Sequence, residues 1–178
     1  MTSEPRLVFQ AGRSRFEIEP HNCFACGTLN EHGLHMPLHL AGDRAWSELT
    51  IDPRFEGWDG IAHGGIVGTV LDEIMGWSLA GTDDWGVTAR MSVQFRKPIP
   101  IGSPIRAVGW VTRARRRLVD TAGYIADPTG TIVYATGTGR YLAADEARKQ
   151  ELRERYGVKD IGATDVAGPG RPEPVASR

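Results

Sequence analysis

The sequence predicts an α+β fold in which one long central helix is wrapped by a curved antiparallel sheet of five or six strands. Three observations lead there. The run IVGTVLDEIMGWSLAG (66–81) is too long for a strand and closes on Gly81. Segments that alternate apolar and polar residues, divided by Gly, Pro and Asp, fill most of the remaining chain up to Leu142. No other segment is apolar enough to cover the helix, so the sheet has to curve around it.

In chain order, residues 1–20 form a polar N-terminal extension. HNCFACGTLNEHG (21–33), dense in small and turn-forming residues, reads as a loop or short helix. Two period-2 strands follow at 34–40 and 44–51, joined by the hairpin signal Gly42-Asp43. The glycine-rich stretch FEGWDGIAHGG (55–65) then leads into the helix. There Ile66, Val67, Val70, Leu71, Ile74, Met75, Trp77 and Leu79 point in nearly every direction, the pattern of a helix buried all round. Further strands are expected at 88–95, 105–114, 118–127 and 131–142, with breaks at Pro98, Pro100, Gly102, Pro104 and Pro128-Thr129-Gly130. The domain proper thus spans 21–142. Residues 143–157 make a charged exposed helix with Glu151 and Arg155 paired at i,i+4, and 158–178 have the Gly/Pro/charged composition of a flexible tail. The five tryptophans are expected mostly in the core.

Composition narrows the function. With 178 residues, 21 Lys+Arg against 22 Asp+Glu and a net charge of −1, the chain is an ordinary globular domain. It has no global electrostatic reason to bind nucleic acid. No run approaches the roughly 18 apolar residues of a membrane-spanning helix, and the N-terminus lacks the apolar core of a signal peptide. Two cysteines, Cys23 and Cys26, are too few to staple a secreted fold, so a cytoplasmic, reducing setting is expected.

The chemistry concentrates in 57–73. Gly57, Gly60, His63, Gly64 and Gly65 precede the helix, and free N–H groups at a helix start, reachable because glycine has no side chain, favour an oxyanion. Asp72 and Glu73 lie in the middle of the same apolar helix, where a carboxylate is costly without a partner. Asp72 continues the small or polar row Gly65, Gly68, Thr69, Gly76, whereas Glu73 falls among Ile66, Val70 and Trp77. Spacing alone is equally compatible with tight helix packing in which Asp72 merely satisfies backbone groups.

The ordered blocks CFACGTLNEHGL (23–34), GWDGIAHGGIVGTVLDEIM (57–75) and TARMSVQFRKPIPIG (88–102) resemble the hotdog-fold acyl-CoA thioesterases, in particular the phenylacetate-pathway branch. The resemblance covers about 21–142. It implies a hotdog fold and hydrolysis of an acyl-CoA thioester. Asp72 would be nucleophile or general base, the Gly64 amide the polariser of the thioester carbonyl, and Thr88 a hydroxyl positioning the attacking water from the neighbouring subunit. His63 would be a supporting donor or a structural bond to the loop. Where some relatives carry Asn six positions before the histidine, this chain has Gly57, so the side-chain amide that would help orient substrate is missing, and Asp59 nearby is not expected to replace it.

Substrate-binding candidates are Gly65, Glu73, Arg96, Lys97, Arg116 and Arg117, the cations for the phosphates of coenzyme A, with a solvated hairpin tip as the alternative for the arginine run 113–117. Trp58 and Trp77 are candidates to border an acyl pocket. No metal or redox cofactor is expected. Cys23 and Cys26, with His32 and His35 downstream and His21 before them, offer a zinc alternative, but the segment is read as a loop closing one end of the sheet or pocket. The partners expected are an acyl-CoA and a second copy of the chain, as a homodimer or a dimer of dimers, because an exposed sheet edge and a site drawing on two chains call for one. A non-catalytic acyl-CoA-binding hotdog domain is the competing function, and a hydratase a weaker third for lack of a second catalytic histidine near the pocket.

Overall fold

The computed structural model describes residues 7–11 and 14–163, including the side chains of 17–159. The far tail, 164–178, and residues 1–6 lie outside the described residues. Within the N-terminal extension, β1 (Leu7–Ala11) and β2 (Ser14–Ile18) pair antiparallel, and β2 pairs in turn with a strand, Lys159–Ala163, that follows the C-terminal helix. The sequence reading gives neither end regular structure. Strands this short are weak signals without the partner that pairs them.

The main sheet has the expected six strands: β3 (His39–Ala41), β4 (Arg44–Thr50), β5 (Gly86–Phe95), β6 (Pro104–Arg115), β7 (Leu118–Ala126) and β8 (Val133–Ala143). Their order is β3-β4-β6-β7-β8-β5, and every neighbouring pair is antiparallel. The strand expected over 34–40 is only three residues long. Pro37 interrupts the run, and the Leu34 and Met36 N–H groups donate instead to the carbonyls of Phe24 and Ala25, at 2.8 and 2.9 Å, tying this stretch to the preceding loop. The last strand begins at Val133 rather than 131 because the Asp127 carboxylate accepts the Thr129 and Ile132 N–H groups and holds those residues in the turn.

Helix α1 (Gly64–Trp77) continues as a 3-10 turn over Ser78–Thr82 and stops at Asp83, in the left-handed region at φ 59°, rather than at Gly81. It is buried on one side only, not all round. Val67, Val70, Leu71, Ile74 and Met75 face the sheet, while His63–Gly65 are exposed and Asp72 and Glu73 half-buried. No tryptophan is fully buried, against expectation, and Trp58 is 85% exposed.

Three glycines in register across adjacent strands, Gly109 on β6, Gly123 on β7 and Gly137 on β8, lie beneath α1. A methyl at Gly109 would stand 2.5 Å from the Ile74 carbonyl oxygen, one at Gly123 3.0 Å from Met75 Cγ, and one at Gly137 3.4 Å from a Leu71 methyl. The helix therefore rests on backbone. At the far side, β5 pairs only with β8, and its outer edge has no strand partner among the described residues. Val87 and Phe95 are largely exposed there.

After the sheet, α2 (Glu146–Arg155) is capped by Asp145, whose carboxylate accepts the Arg148 N–H at 2.9 Å. Glu151 pairs with Arg148 at i,i+3, not with Arg155. Lys149 bridges Asp84 and Glu146, and Arg153 pairs with Asp83, which docks the helix on the end of the 3-10 turn.

Because backbone blocks the place of a side chain at Gly109, Gly109→Ala is expected to lower stability by about 1–3 kcal/mol, the cost of forcing volume into a filled core. A denaturant midpoint unchanged from wild type would show that the helix has slack over the sheet.

Candidate active site

The exposed start of α1 is held by His63, whose Nδ1 accepts the Gly65 N–H at 3.0 Å and whose carbonyl accepts from Ile66 and Val67 at 2.9 and 3.2 Å. Gly65 thus spends its amide on the cap and offers only space. The Gly64 N–H meets no acceptor among the described residues and stands at the positive end of the helix dipole. Beside it lies a cavity of about 310 Å³ lined by Gly64, Phe95, Arg96 and Lys97, so the structure brings Gly64 and two expected cations together. Gly57 packs directly on His63, with a methyl there meeting His63 Cα at 3.0 Å, and Asp59 is exposed.

Two turns further along α1, Asp72 Oδ1 accepts the Thr88 hydroxyl at 2.8 Å and lies 3.0 Å from the Tyr141 hydroxyl, which is equally close to the Asp72 carbonyl. Thr88 comes from β5 of the same chain. This corrects its expected origin in the neighbouring subunit. Tyr141 escapes the sequence reading altogether; its signal is the inward alternation of Gly137, Gly139 and Tyr141 along β8. Burial, and then the Asp72 carboxylate, push the Tyr141 phenol above its usual value, so it remains a donor. Among the described residues no donor reaches Asp72 Oδ2.

That carboxylate opens on a second cavity, of about 340 Å³, whose wall includes Trp77, Ala80, Trp85, Val87, Thr88 and Tyr141. Asp72, Glu73 and Asp84 share this wall with the apolar side chains of Trp77, Ala80, Trp85 and Val87, which offer an acyl group a surface to lie against. Trp77 thus borders a pocket as expected; Trp58 lines neither of these cavities. Eight residues of helix separate Gly64 from Asp72 by about 12 Å, so one chain's amide and carboxylate cannot grip one carbonyl group. Arg116, at φ 52°, and Arg117 form the β6–β7 hairpin tip. Arg117 Nε donates to the Ala143 carbonyl at 3.0 Å, and Ala143 pairs with Gly86, placing this tip at the start of β5 while Arg96 and Lys97 follow its end.

Glu73 also contributes to the cavity wall, but its carboxylate is engaged elsewhere. Oε1 accepts the Trp77 indole N–H at 2.8 Å, and Cys23 Sγ stands 3.8 and 3.9 Å from the two oxygens. Burial, reinforced by the charge of Cys23, raises the Glu73 carboxyl to about 7. The Cys26 thiol, with the Cys26 and Ala25 backbone N–H groups, holds Cys23 down at about 5, and its bond to Cys23, together with burial, pushes Cys26 up. His32 and His35 are exposed and take no part in this cluster; His21 reaches it through Nε2, 3.4 Å from Cys26 Sγ.

Comparison with known proteins agrees with this architecture. The model of the Thioesterase superfamily matches residues 59–133, which contain the Gly64 amide, Asp72 and Thr88. No curated protein sequence matches the chain. Among solved structures, a thioesterase superfamily protein superposes with a TM-score of 0.62 at 23% identity, over 68% of this chain and 60% of that one; this chain therefore spans less than two-thirds of that neighbour's length. The Escherichia coli PaaI protein from the phenylacetic acid degradation operon gives 0.59 at 14% identity, over 63% and 81% of the two chains. A Streptococcus mutans protein bound to acetyl-CoA gives 0.55 at 18%, over 58% and 82%. The chain has the hotdog fold, and its central segment carries the pattern of the thioesterase superfamily.

Tyr141→Phe keeps the ring and removes one donor from a carboxylate, and is expected to cost about 1–2 kcal/mol of stability. Equal melting curves for the two proteins would mean that water replaces the phenol and that the Asp72–Tyr141 contact holds nothing.

Proposed function

We propose that the chain hydrolyses an acyl-CoA thioester, with Asp72 as nucleophile or general base. The observation that carries this reading is the half-buried Asp72 carboxylate, oriented by the Thr88 and Tyr141 hydroxyls and facing a cavity partly walled by Trp77, Ala80, Trp85 and Val87. Two donors on Oδ1 fix the group and leave Oδ2 to act. It takes a proton from the water that attacks the acyl carbon, or attacks that carbon itself to give an anhydride that water then opens. In either route the carbon–sulfur bond breaks and the thiol of coenzyme A leaves with a proton. The oxyanion formed meanwhile needs an N–H donor, the part assigned to Gly64.

Since one chain cannot bring its own Gly64 to its own Asp72, the site requires two copies. Antiparallel pairing of two β5 edges about a two-fold axis near Met91 and Ser92 sets the end of one strand against the start of the other. The partner subunit's Gly64 then faces Asp72, and the partner subunit's Arg96 and Lys97 meet the Arg116–Arg117 tip, a place for the phosphates of coenzyme A. Exposure of Val87 and Phe95 along β5 supports this pairing. The phenylacetate-pathway branch, a domain spanning 21–142 and a reducing cytoplasmic setting for the two free cysteines complete the reading. Among the described residues no helix is long and apolar enough to cross a membrane. Gly57, which lacks the amide side chain of some relatives, favours one competing reading, an acyl-CoA-binding domain without turnover.

Thiol release from a panel of aryl and aliphatic acyl-CoAs separates the two. Asp72→Ala is expected to lower kcat by about a hundredfold or more, the range of an acid–base group; rates equal to wild type would leave only binding. Gly64→Pro removes the amide hydrogen at a helix position that accepts proline. Coexpressing the inactive Asp72→Ala and Gly64→Pro chains is expected to restore about a quarter of wild-type activity, since half of the mixed dimers are heterodimers with one intact site each. No restoration would place both groups in a single-chain site.

A further inference from the structure

We infer that His21, Cys23, Cys26 and Glu73 bind one zinc-class divalent metal ion, which fastens the 21–33 loop to α1 one residue from Asp72. The sulfurs of Cys23 and Cys26 and a carboxylate oxygen of Glu73 all lie within 4.8 Å of one another. Tetrahedral zinc, with bonds of about 2.3 Å to sulfur and about 2.0 Å to oxygen or nitrogen, spaces neighbouring donors roughly 3.3–3.8 Å apart. Two of the pairs are already close to this, with 3.8 and 3.9 Å from Cys23 Sγ to the Glu73 oxygens and 3.4 Å from His21 Nε2 to Cys26 Sγ, and the set closes to it by small side-chain shifts. His21 lies outside this set of three, with its Nε2 beside Cys26 Sγ, and becomes the fourth donor by a turn of its ring toward the other two. Two thiolates, an imidazole and one carboxylate select zinc over calcium or magnesium, which take oxygen donors.

The surroundings of the four side chains fit ligation. His21 Nδ1 lies 3.1 Å from the Glu19 carbonyl oxygen, which can only accept; Nδ1 therefore carries the hydrogen, and in the neutral ring the Nε2 lone pair points toward Cys26. Glu73 is oriented by the Trp77 indole N–H. Outer partners of this kind, a carbonyl on the histidine and a donor on the carboxylate, position metal ligands. The loop itself is built around the pair. Gly27 N–H donates to the Cys23 carbonyl at 2.9 Å, and a methyl on Gly27 would stand 2.4 Å from both the Cys23 nitrogen and the His21 carbonyl oxygen. Only glycine closes that turn, and the turn brings both sulfurs to the same side. The thioesterase reading uses none of these four side chains as a reacting group.

The test is metal content and coordination, independent of thiol release. Full-length protein, purified with reductant and without chelator, is expected to hold one zinc per chain by plasma mass spectrometry. After chelation it is expected to take up one Co²⁺ with thiolate-to-cobalt charge-transfer absorption and the visible bands of a tetrahedral site. X-ray absorption of the zinc form is expected to resolve two sulfur and two nitrogen or oxygen neighbours. Cys23→Ser and Glu73→Gln are expected to weaken Co²⁺ binding at least tenfold, while His32→Ala and His35→Ala leave it unchanged. The wild-type cobalt titration stands even if a cysteine variant fails to fold. Folded protein with two alkylatable thiols, no zinc and no cobalt spectrum would overturn the inference. So would a Cys23–Cys26 disulfide in protein alkylated at lysis.

Discussion

Everything at this site depends on how closely α1 can lie on the sheet. Gly109, Gly123 and Gly137 remove three side chains from neighbouring strands directly under Leu71, Ile74 and Met75, so the helix packs against backbone. Tyr141 leaves β8 on the same inward face as Gly137, four residues on, and its hydroxyl reaches Asp72 across the resulting gap. A contact of 3.0 Å leaves no room for a lifted helix, because hydrogen bonds weaken steeply with added distance. The glycine track is in this sense part of the site, although none of its members lines the cavity.

The close seat also divides α1 between two tasks. Its sheet side is filled by the apolar side chains of Val67, Val70, Leu71, Ile74 and Met75, and its other side carries Gly64, Gly65, Gly68, Thr69, Asp72 and Gly76, a row of small and polar groups beside the β5 edge. The positive end of the helix and the carboxylate lie on that row about two turns apart, a span of about 12 Å that a straight helix cannot shorten. Chemistry needing both has to draw them from two helices. The exposed edge of β5 is where the proposed pairing of two chains would bring them together.

Much of this was legible in the sequence. The central helix and the six-strand sheet follow from periodicity and glycine placement, and the ordered blocks single out Gly64 and Asp72 as candidates. What escaped depends on long-range pairing. The one-sided burial of α1 was invisible because residues such as Ile66 and Trp77 read as core while lying half-buried at its margin, beyond the reach of the sheet. Thr88 was read onto the wrong chain because spacing gives its distance along the sequence, not the strand order that sets β5 beside α1. Tyr141 was passed over because a tyrosine in an alternating strand resembles any core aromatic until its hydroxyl has a partner. The short strands near both termini were missed because each depends on the other for its ladder.

Asp72 and Glu73 show how one helical step separates two roles. Successive residues on a helix diverge by about 100°, so adjacent carboxylates enter different surroundings. Asp72 meets two hydroxyls and an open cavity; Glu73 meets an indole N–H and two thiols, and burial raises it to about 7. Carboxylates in such different environments do not exchange functions, since each is matched to the groups it faces. They do share a backbone. Whatever holds Glu73 to the 21–33 loop also holds the turn of α1 that carries Asp72, so the loop limits how far the Asp72 carboxylate can stray from the Thr88 and Tyr141 hydroxyls.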